Sequence, residues 1–595
     1  MNTLNKQYIY KIHICISIFL FAVFAFFWYL KYNSYQLFIY QEEIQLFRAD
    51  IFYFLDYAVR PGGVCGYLGS FLTQFYHFIW PGVLLLTSLI VLICTLLLVV
   101  GHKTGVSSSY YVLAFMAPIL LVAASTVDTH FRLSYVLGIC IALSAFCFYV
   151  FLKKKFRPIT GILLHLLLYF LTGGNVLLFV SLVLIYEFFE GKPSWSYLAG
   201  LIICAALIPY LARTWIYVVP MKVAYLAQTP FITPFPNNFY FGAWLGIPLL
   251  YLCCRFLSLK LSRYEKINPW VFIIVSYFII GIVTYSTIIP LRDNDSEMIY
   301  RMSHEVENAN WDKVLALANE YNEHPENKNT VVCYYTNLAL LEKGILPDSM
   351  FHYKQTGLAG FFPQPEITHY FSGISNGELY YRMGVLYESK HCEYAALIST
   401  GNEHGSRPLR RLVDISLLLG DRSGFERYVG LFEAAPIYKK WAREQRGIFE
   451  KRMKDPDYQI PGAPRVPLID DFFISYNTPQ ANFVSVLKTD STNQKAFEYL
   501  MSAYLLGRDM ETAFSFFETY YPLMNYKKMP RLYEEMLLIL PLVLPETEER
   551  THQYSISEAT EVDFARFLYM TETTLTKKGE EAMLANFGKT YWCYL

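Results

Sequence analysis

The chain has 595 residues, 54% of them apolar, with 50 basic and 50 acidic side chains and a mean hydropathy of +0.27. Without a basic excess it does not have the charge of a nucleic-acid binder, and its 11 cysteines show no C-x-x-C spacing that would support a zinc site or a disulfide framework. The overall neutrality conceals a break: up to Leu291 there are 18 Lys+Arg and 8 Asp+Glu, whereas the rest holds 32 and 42.

A bilayer span needs about 20 mostly apolar residues. Before the break, 8–30, 79–100, 110–127, 133–152, 197–213, 239–257 and 270–290 meet this need. The apolar stretch 158–190 is interrupted by Gly173-Gly174-Asn175 and reads as a hairpin of two spans, which gives about nine in all. The first run continues into Phe26-Phe27-Trp28-Tyr29 without a small-x-small cleavage site, as an uncleaved signal anchor does. Orientation follows from Lys and Arg in the loops. With the N-terminus in the cytoplasm, 12 basic residues fall on inside positions, Lys103, the Lys153-Lys154-Lys155-x-Arg157 cluster and Arg255 among them, and 6 outside. An odd number of spans then puts everything after Leu291 on the outer side. Ionisable residues within spans are few, chiefly His165 and the end-placed Glu187, so little points to a transporter. His165 reads as a satisfied packing residue.

The first outer loop, 36–78, carries Ile44, Phe47, Ile51, Leu55 and Ala58 at three- and four-residue steps, the spacing of a helix with one apolar face. Its other side holds Glu42, Glu43, Asp50 and Asp56 with Arg48, and such a helix is expected to lie flat in the membrane interface. Arg60-Pro61-Gly62-Gly63 ends it. The second outer loop is short, Thr126 to Arg132, and includes Asp128, His130 and Arg132. A carboxylate here could deprotonate an acceptor hydroxyl. Arg132 and His130 could neutralise a phosphate leaving group.

After Leu291 the pattern is helical. Phe497, Leu500, Tyr504, Ala513 and Phe517 have the spacing of a tetratricopeptide helix pair turning at Gly507-Arg508-Asp509. A weaker version runs through Trp311, Val314, Ala318 and Tyr321. Four prolines between Pro456 and Pro467 divide this half. The expected fold is all-α: a polytopic transmembrane domain (1–291) followed by a soluble TPR-like α-solenoid in two parts (292–452 and 470–595) around a Pro-rich linker (453–469). Gly373-Ile374-Ser375-Asn376-Gly377 matches G-x-S-x-G, but its surroundings are helical and it reads as a turn ending a loop, not a nucleophile elbow. A bridge between Cys333 and Cys392 is open to the sequence but not required by it.

Ile39-Tyr40-Gln41-Glu42-Glu43-Ile44, Arg60-Pro61-Gly62-Gly63 and Asp128 together resemble the GT-C glycosyltransferases, which take polyprenyl- or dolichyl-phosphate sugars. The resemblance implies Glu43 or Glu42 as base and Asp128 as a supporting carboxylate. Arg48, Arg60, His130 and Arg132 would then be the substrate-binding cations. The Asp-Glu-x-His-type motif of that class is missing, and Pro-Gly-Gly replaces its Pro-Pro. A second resemblance runs along most of the chain, through Tyr67-Leu68-Gly69, Tyr335-Thr336-Asn337-Leu338-Ala339-Leu340, Tyr438-Lys439-Lys440-Trp441-Ala442 and Ala496-Phe497-Glu498-Tyr499-Leu500-Met501. These phrases are similar to a bacterial multi-pass membrane family of unknown function, which implies a bacterial envelope protein with no activity to carry over; with the orientation set by the loop charges, the expectation is an inner-membrane protein with a periplasmic C-terminal domain. Two functions are therefore expected. One is a GT-C-like transferase using a lipid-linked sugar, with the acceptor held by the solenoid. The other is a non-catalytic envelope scaffold whose TPR-like domain docks partner proteins. The sequence names no cofactor and no metal.

Overall fold

A computed structural model describes residues 3–106, 110–190, 194–232, 237–261, 269–324, 327–362, 370–401, 404–460, 463–464, 479–573 and 577–595. Every regular element among them is a helix, and the fold is all-α. The chain groups into two compact units: the first is Met1–Glu297 with Gly430–Arg443, the second Met298–Val429 with Glu444–Leu595. Residues 461–462 and 465–469 of the expected linker, 453–469, lie outside the described residues.

The first unit contains α1 (Thr3–Tyr32), α2 (Tyr40–Glu43), α3 (Ile51–Ala58), α4 (Gly63–Thr73), α5 (Ile79–Lys103), α6 (Tyr110–Leu113), α7 (Met116–Val127), α8 (Leu133–Phe151) and α9 (Arg157–Thr172). It continues through α10 (Val176–Phe189), α11 (Trp195–Trp215), α12 (Met221–Leu226), α13 (Asn238–Leu261) and α14 (Pro269–Ile288). Among the described residues, seven helical stretches are long and apolar enough to cross a bilayer; Lys154–Phe189 is taken among them as one 36-residue stretch, and Tyr111–Val127 is apolar but shorter. Inside Lys154–Phe189 the chain turns back. Arg157, at the start of α9, donates to the Tyr186 hydroxyl near the end of α10 at 2.7 Å, and its Nη1 lies 3.5 Å from Glu187. Gly173 makes that turn with φ +60 and ψ −129, a conformation closed to residues with a Cβ.

The Gly-Gly-Asn turn meets the Pro-Gly-Gly turn. A Cβ on Gly62 would stand 2.6 Å from the Gly173 nitrogen, and one on Gly173 would stand 2.9 Å from the Ala227 carbonyl oxygen. The gap is closed by backbone: Gly174 N–H donates to Ala227 O at 2.8 Å. Asn175, fully buried, donates to Gln228 O at 2.9 Å and accepts from Trp244 Nε1 at 2.8 Å.

The loop after α1 differs from the single amphipathic helix expected over 44–58. A π-helical turn (Ser34–Ile39) and α2 are followed by non-helical Gln45–Ala49, and α3 begins afresh. Asp50 forces the restart, because its Oδ1 accepts from Tyr53 N–H at 2.8 Å as an N-cap. The Ala49 N–H is also taken, by the Ala434 carbonyl at 2.8 Å. The expected apolar face is thereby divided: Ile44 and Phe47 are buried, while Ile51 and Leu55 are exposed together with Phe52.

The second unit begins within α15 (Asn294–Glu307) and runs through α16 (Trp311–Asn322), α17 (Thr330–Glu342), α18 (Leu346–Ser349), α19 (Tyr370–Arg382), α20 (Leu386–Ser399), α21 (Ser406–Leu419) and α22 (Arg422–Glu433). After the corner come α23 (Lys439–Lys454), α24 (Pro479–Thr489), α25 (Gln494–Leu506), α26 (Met510–Tyr520), α27 (Arg531–Val543), α28 (Glu548–Thr551), α29 (Glu558–Thr573), α30 (Lys577–Phe587) and α31 (Tyr591–Tyr594). In the turn between α25 and α26 the left-handed residue is Arg508 (φ +58), not Gly507, and Asp509 caps α26 by accepting from Thr512 N–H. Phe497, Leu500, Ala513 and Phe517 are all buried in the core.

The Gly373–Gly377 segment is not a turn: it lies inside α19. Its two glycines face α20, where a Cβ at 373 would sit 2.8 Å from Ala396 Cβ and one at 377 would sit 2.4 Å from Glu393 Oε1. The spacing serves close helix packing. All eleven cysteines are free, so Cys333 and Cys392 form no bridge.

Candidate functional site

Of the two acidic residues after α1, Glu42 has the more informative surroundings. It is buried, as are all four residues of the single-turn helix α2. Its Oε1 accepts from the Tyr438 hydroxyl at 2.6 Å, and His77 Nδ1 lies 3.7 Å from its Oε2. His77 Nδ1 is also 3.4 Å from the Tyr438 hydroxyl, which closes a triangle of carboxylate, phenol and imidazole. Tyr438 is held by the aromatic corner of 430–443, in which Phe432 packs edge-on against both Tyr438 and Trp441. His77 comes from the 3-10 turn Gln74–His77 that leads into α5. A small recess of about 10 Å³ adjoins Glu42 and Tyr438, lined also by Gln45, Thr73 and Gln74 with Leu46, Phe47, Ala435 and Ile437.

The remaining predicted residues are distributed around this centre. Glu43 is buried. Gln41 ties the first loop to the second by donating to the carbonyls of Thr129 (2.6 Å) and Phe131 (3.1 Å), and the rings of Tyr40 and His130 are 5.8 Å apart. Asp128 shapes its own loop: Oδ1 accepts from His130 N–H at 2.9 Å, and Oδ2 lies 3.4 Å from Asn237 Nδ2. Arg48 lies over the Tyr53 ring, with Nε 3.6 Å from Asp50. Arg60, His130 and Arg132 are exposed. The loops that follow α1 and α7 thus meet, and the lining of the recess at Glu42 includes none of the cations expected to face a phosphate. His77 and Tyr438 were missed. His77 carries no signal beyond its place before a span, and Tyr438 is separated from Glu42 by 396 residues.

Two further groups of buried charge bear on the reading. His165 is fully buried, yet neither ring nitrogen has a hydrogen-bond partner among the described residues, in place of the satisfied packing expected of it. In the second unit, Glu378 joins Arg382 (2.7 Å) and Arg411, while Arg407 donates to Ser303 Oγ at 2.9 Å and Arg410 reaches Glu307 at 3.0 Å. Burial by itself would raise the Glu378 carboxyl, but Arg411 and Arg382 outweigh it and hold the group below the usual range. Glu393 goes the other way: burial drives its carboxyl well above the usual range, only partly opposed by Arg411 and Arg407.

Residues 8–595 match a family of unknown function, DUF6057. The chain belongs to that family. No curated protein matches it, and no solved structure does. The match covers nearly the whole chain, both units included, which agrees with the family resemblance seen in the loop and tail phrases. It carries no activity with it.

Proposed function

We propose that the chain is a multi-pass protein of a bacterial inner membrane whose helical second unit acts on the periplasmic side as a docking scaffold for protein partners. The observation that carries this reading is how the candidate carboxylates are used. Glu42 is 5% exposed and accepts a hydrogen bond from Tyr438, and Asp128 caps its own turn. A general base has to reach the proton it removes, whereas these carboxylates hold the fold. The helix pair α25–α26 supports a tetratricopeptide-like unit as the docking element, since small Ala513 is buried between larger side chains.

A second reading, transfer of a sugar from a polyprenyl-phosphate donor, is favoured by one fact: Glu42 lines a small recess and has the His77 imidazole 3.7 Å from its Oε2. Glu42→Gln separates the two, because an amide oxygen still accepts from Tyr438 but cannot act as a base. In a deletion strain, a scaffold carrying Glu42→Gln restores the phenotype fully. A transferase with the same change loses roughly 10²- to 10⁴-fold in turnover and fails to restore it.

A further inference from the structure

At one end of the first unit a set of basic side chains closes into a ring. On α13, Arg255 donates to the carbonyl of Thr104, the residue after Lys103. The Lys103 ammonium lies 4.9 Å over the ring of Phe151, which ends α8 and leads into Lys153, Lys154 and Lys155. Lys155 in turn lies 4.7 Å over Phe156. Arg157 follows, 3.9 Å from Glu190, and Glu190 is 3.9 Å from Arg255. Six cations therefore share this end with two carboxylates, Glu187 and Glu190. The excess is turned outward, since Lys103, Lys153, Lys154 and Lys155 are all exposed. Arg255, only 9% exposed, keeps a buried Nε that no acceptor among the described residues fills.

We propose that this ring binds the headgroup of an anionic phospholipid. Its surroundings suit a lipid in both parts. Phe151, Phe156 and Ile159, exposed by 57%, 50% and 69%, sit directly beside the lysines, an apolar surface for acyl chains below a cationic surface for a phosphate. The lysines laid over phenylalanine rings keep their stems on that apolar surface and their charges at its edge. A free phosphate would satisfy the cations alone and leave the aromatic side chains uncovered. The proposal rests on the membrane placement of this unit and not on its docking role.

The test uses the full chain purified in detergent, with fluorescent phosphatidylglycerol and phosphatidylcholine as probes. Phosphatidylglycerol is expected to bind at least about tenfold more tightly, and Lys153→Gln, Lys154→Gln and Lys155→Gln together to weaken it by about fivefold per lysine removed. Lys103→Gln is a milder second variant, with an expected loss of about fivefold. Equal binding of the two lipids, or a triple variant that keeps the preference, overturns the proposal. So does inorganic phosphate that abolishes the preference at matched concentration, because the site then takes the free anion. Membrane fractionation of each variant reads insertion separately, so a failure of the membrane placement is distinguishable from a failure of headgroup binding.

Discussion

Tyr438 donates a short hydrogen bond to a buried carboxylate, besides packing against Phe432 and His77. Tyr438→Phe leaves that oxygen without its phenol donor, which is expected to destabilise the protein by about 1–3 kcal/mol. A lower thermal midpoint in detergent is the measurement that checks it. In the second unit, Glu393 permits a prediction with a definite sign. Its folded carboxyl keeps a proton that the unfolded chain releases above about pH 4.3. Its contribution to stability is therefore complete below that pH and lost as pH rises toward the raised folded value. Glu393→Gln removes the titration. Melts between pH 5 and pH 8 are expected to show the variant losing less stability than the parent, and an equal loss in both would count against this account.

The glycines of α19 make an element-scale prediction that depends on what each one faces. At 373 an added Cβ meets Ala396 Cβ and backbone, whereas at 377 it meets the movable end of Glu393. Gly373→Ala is expected to cost about 1–3 kcal/mol by forcing the two helices apart, and Gly377→Ala less. Gly447, in α23 with open space around it, is the control: alanine there is expected to stabilise by about 0.5–1 kcal/mol. Denaturant midpoints of the three variants give the order. At this scale the sequence was a good guide where periodicity was long and a poor one where a single residue decided. The apolar runs located the long helices, and the Gly173-Gly174-Asn175 interruption marked a true reversal. The helix expected over 44–58 failed because one cap, Asp50, and one distant carbonyl, Ala434, outcompete the apolar period. The G-x-S-x-G segment lies inside α19 instead of forming the expected turn, because nothing local announces that two glycines face a neighbouring helix.

Over the whole molecule, the charge break at Leu291 was legible and falls close to the boundary between Glu297 and Met298. Half of the candidate site was legible as well. Glu42 stands in an acidic loop that invites attention, while Tyr438 lies beyond any spacing a sequence pattern can link to it. Orientation is open to direct measurement. If the basic ring faces the cytoplasm, a cysteine placed at Lys154 in a cysteine-free background reacts with an impermeant maleimide only in opened cells. One placed at Lys222 reacts in intact spheroplasts. Labelling of both from one side would refute the topology.

Neither unit is a continuous stretch of chain, and this matters during synthesis. The corner that completes the first unit leaves the ribosome about 150 residues after Glu297, roughly 7–30 s later at ordinary elongation rates. Until then Glu42 waits without Tyr438, so the first unit is completed only after the 298–429 segment of the second has been made. A fragment cut at the boundary near residue 297 would separate the corner from the loop it completes, leaving each piece unfinished.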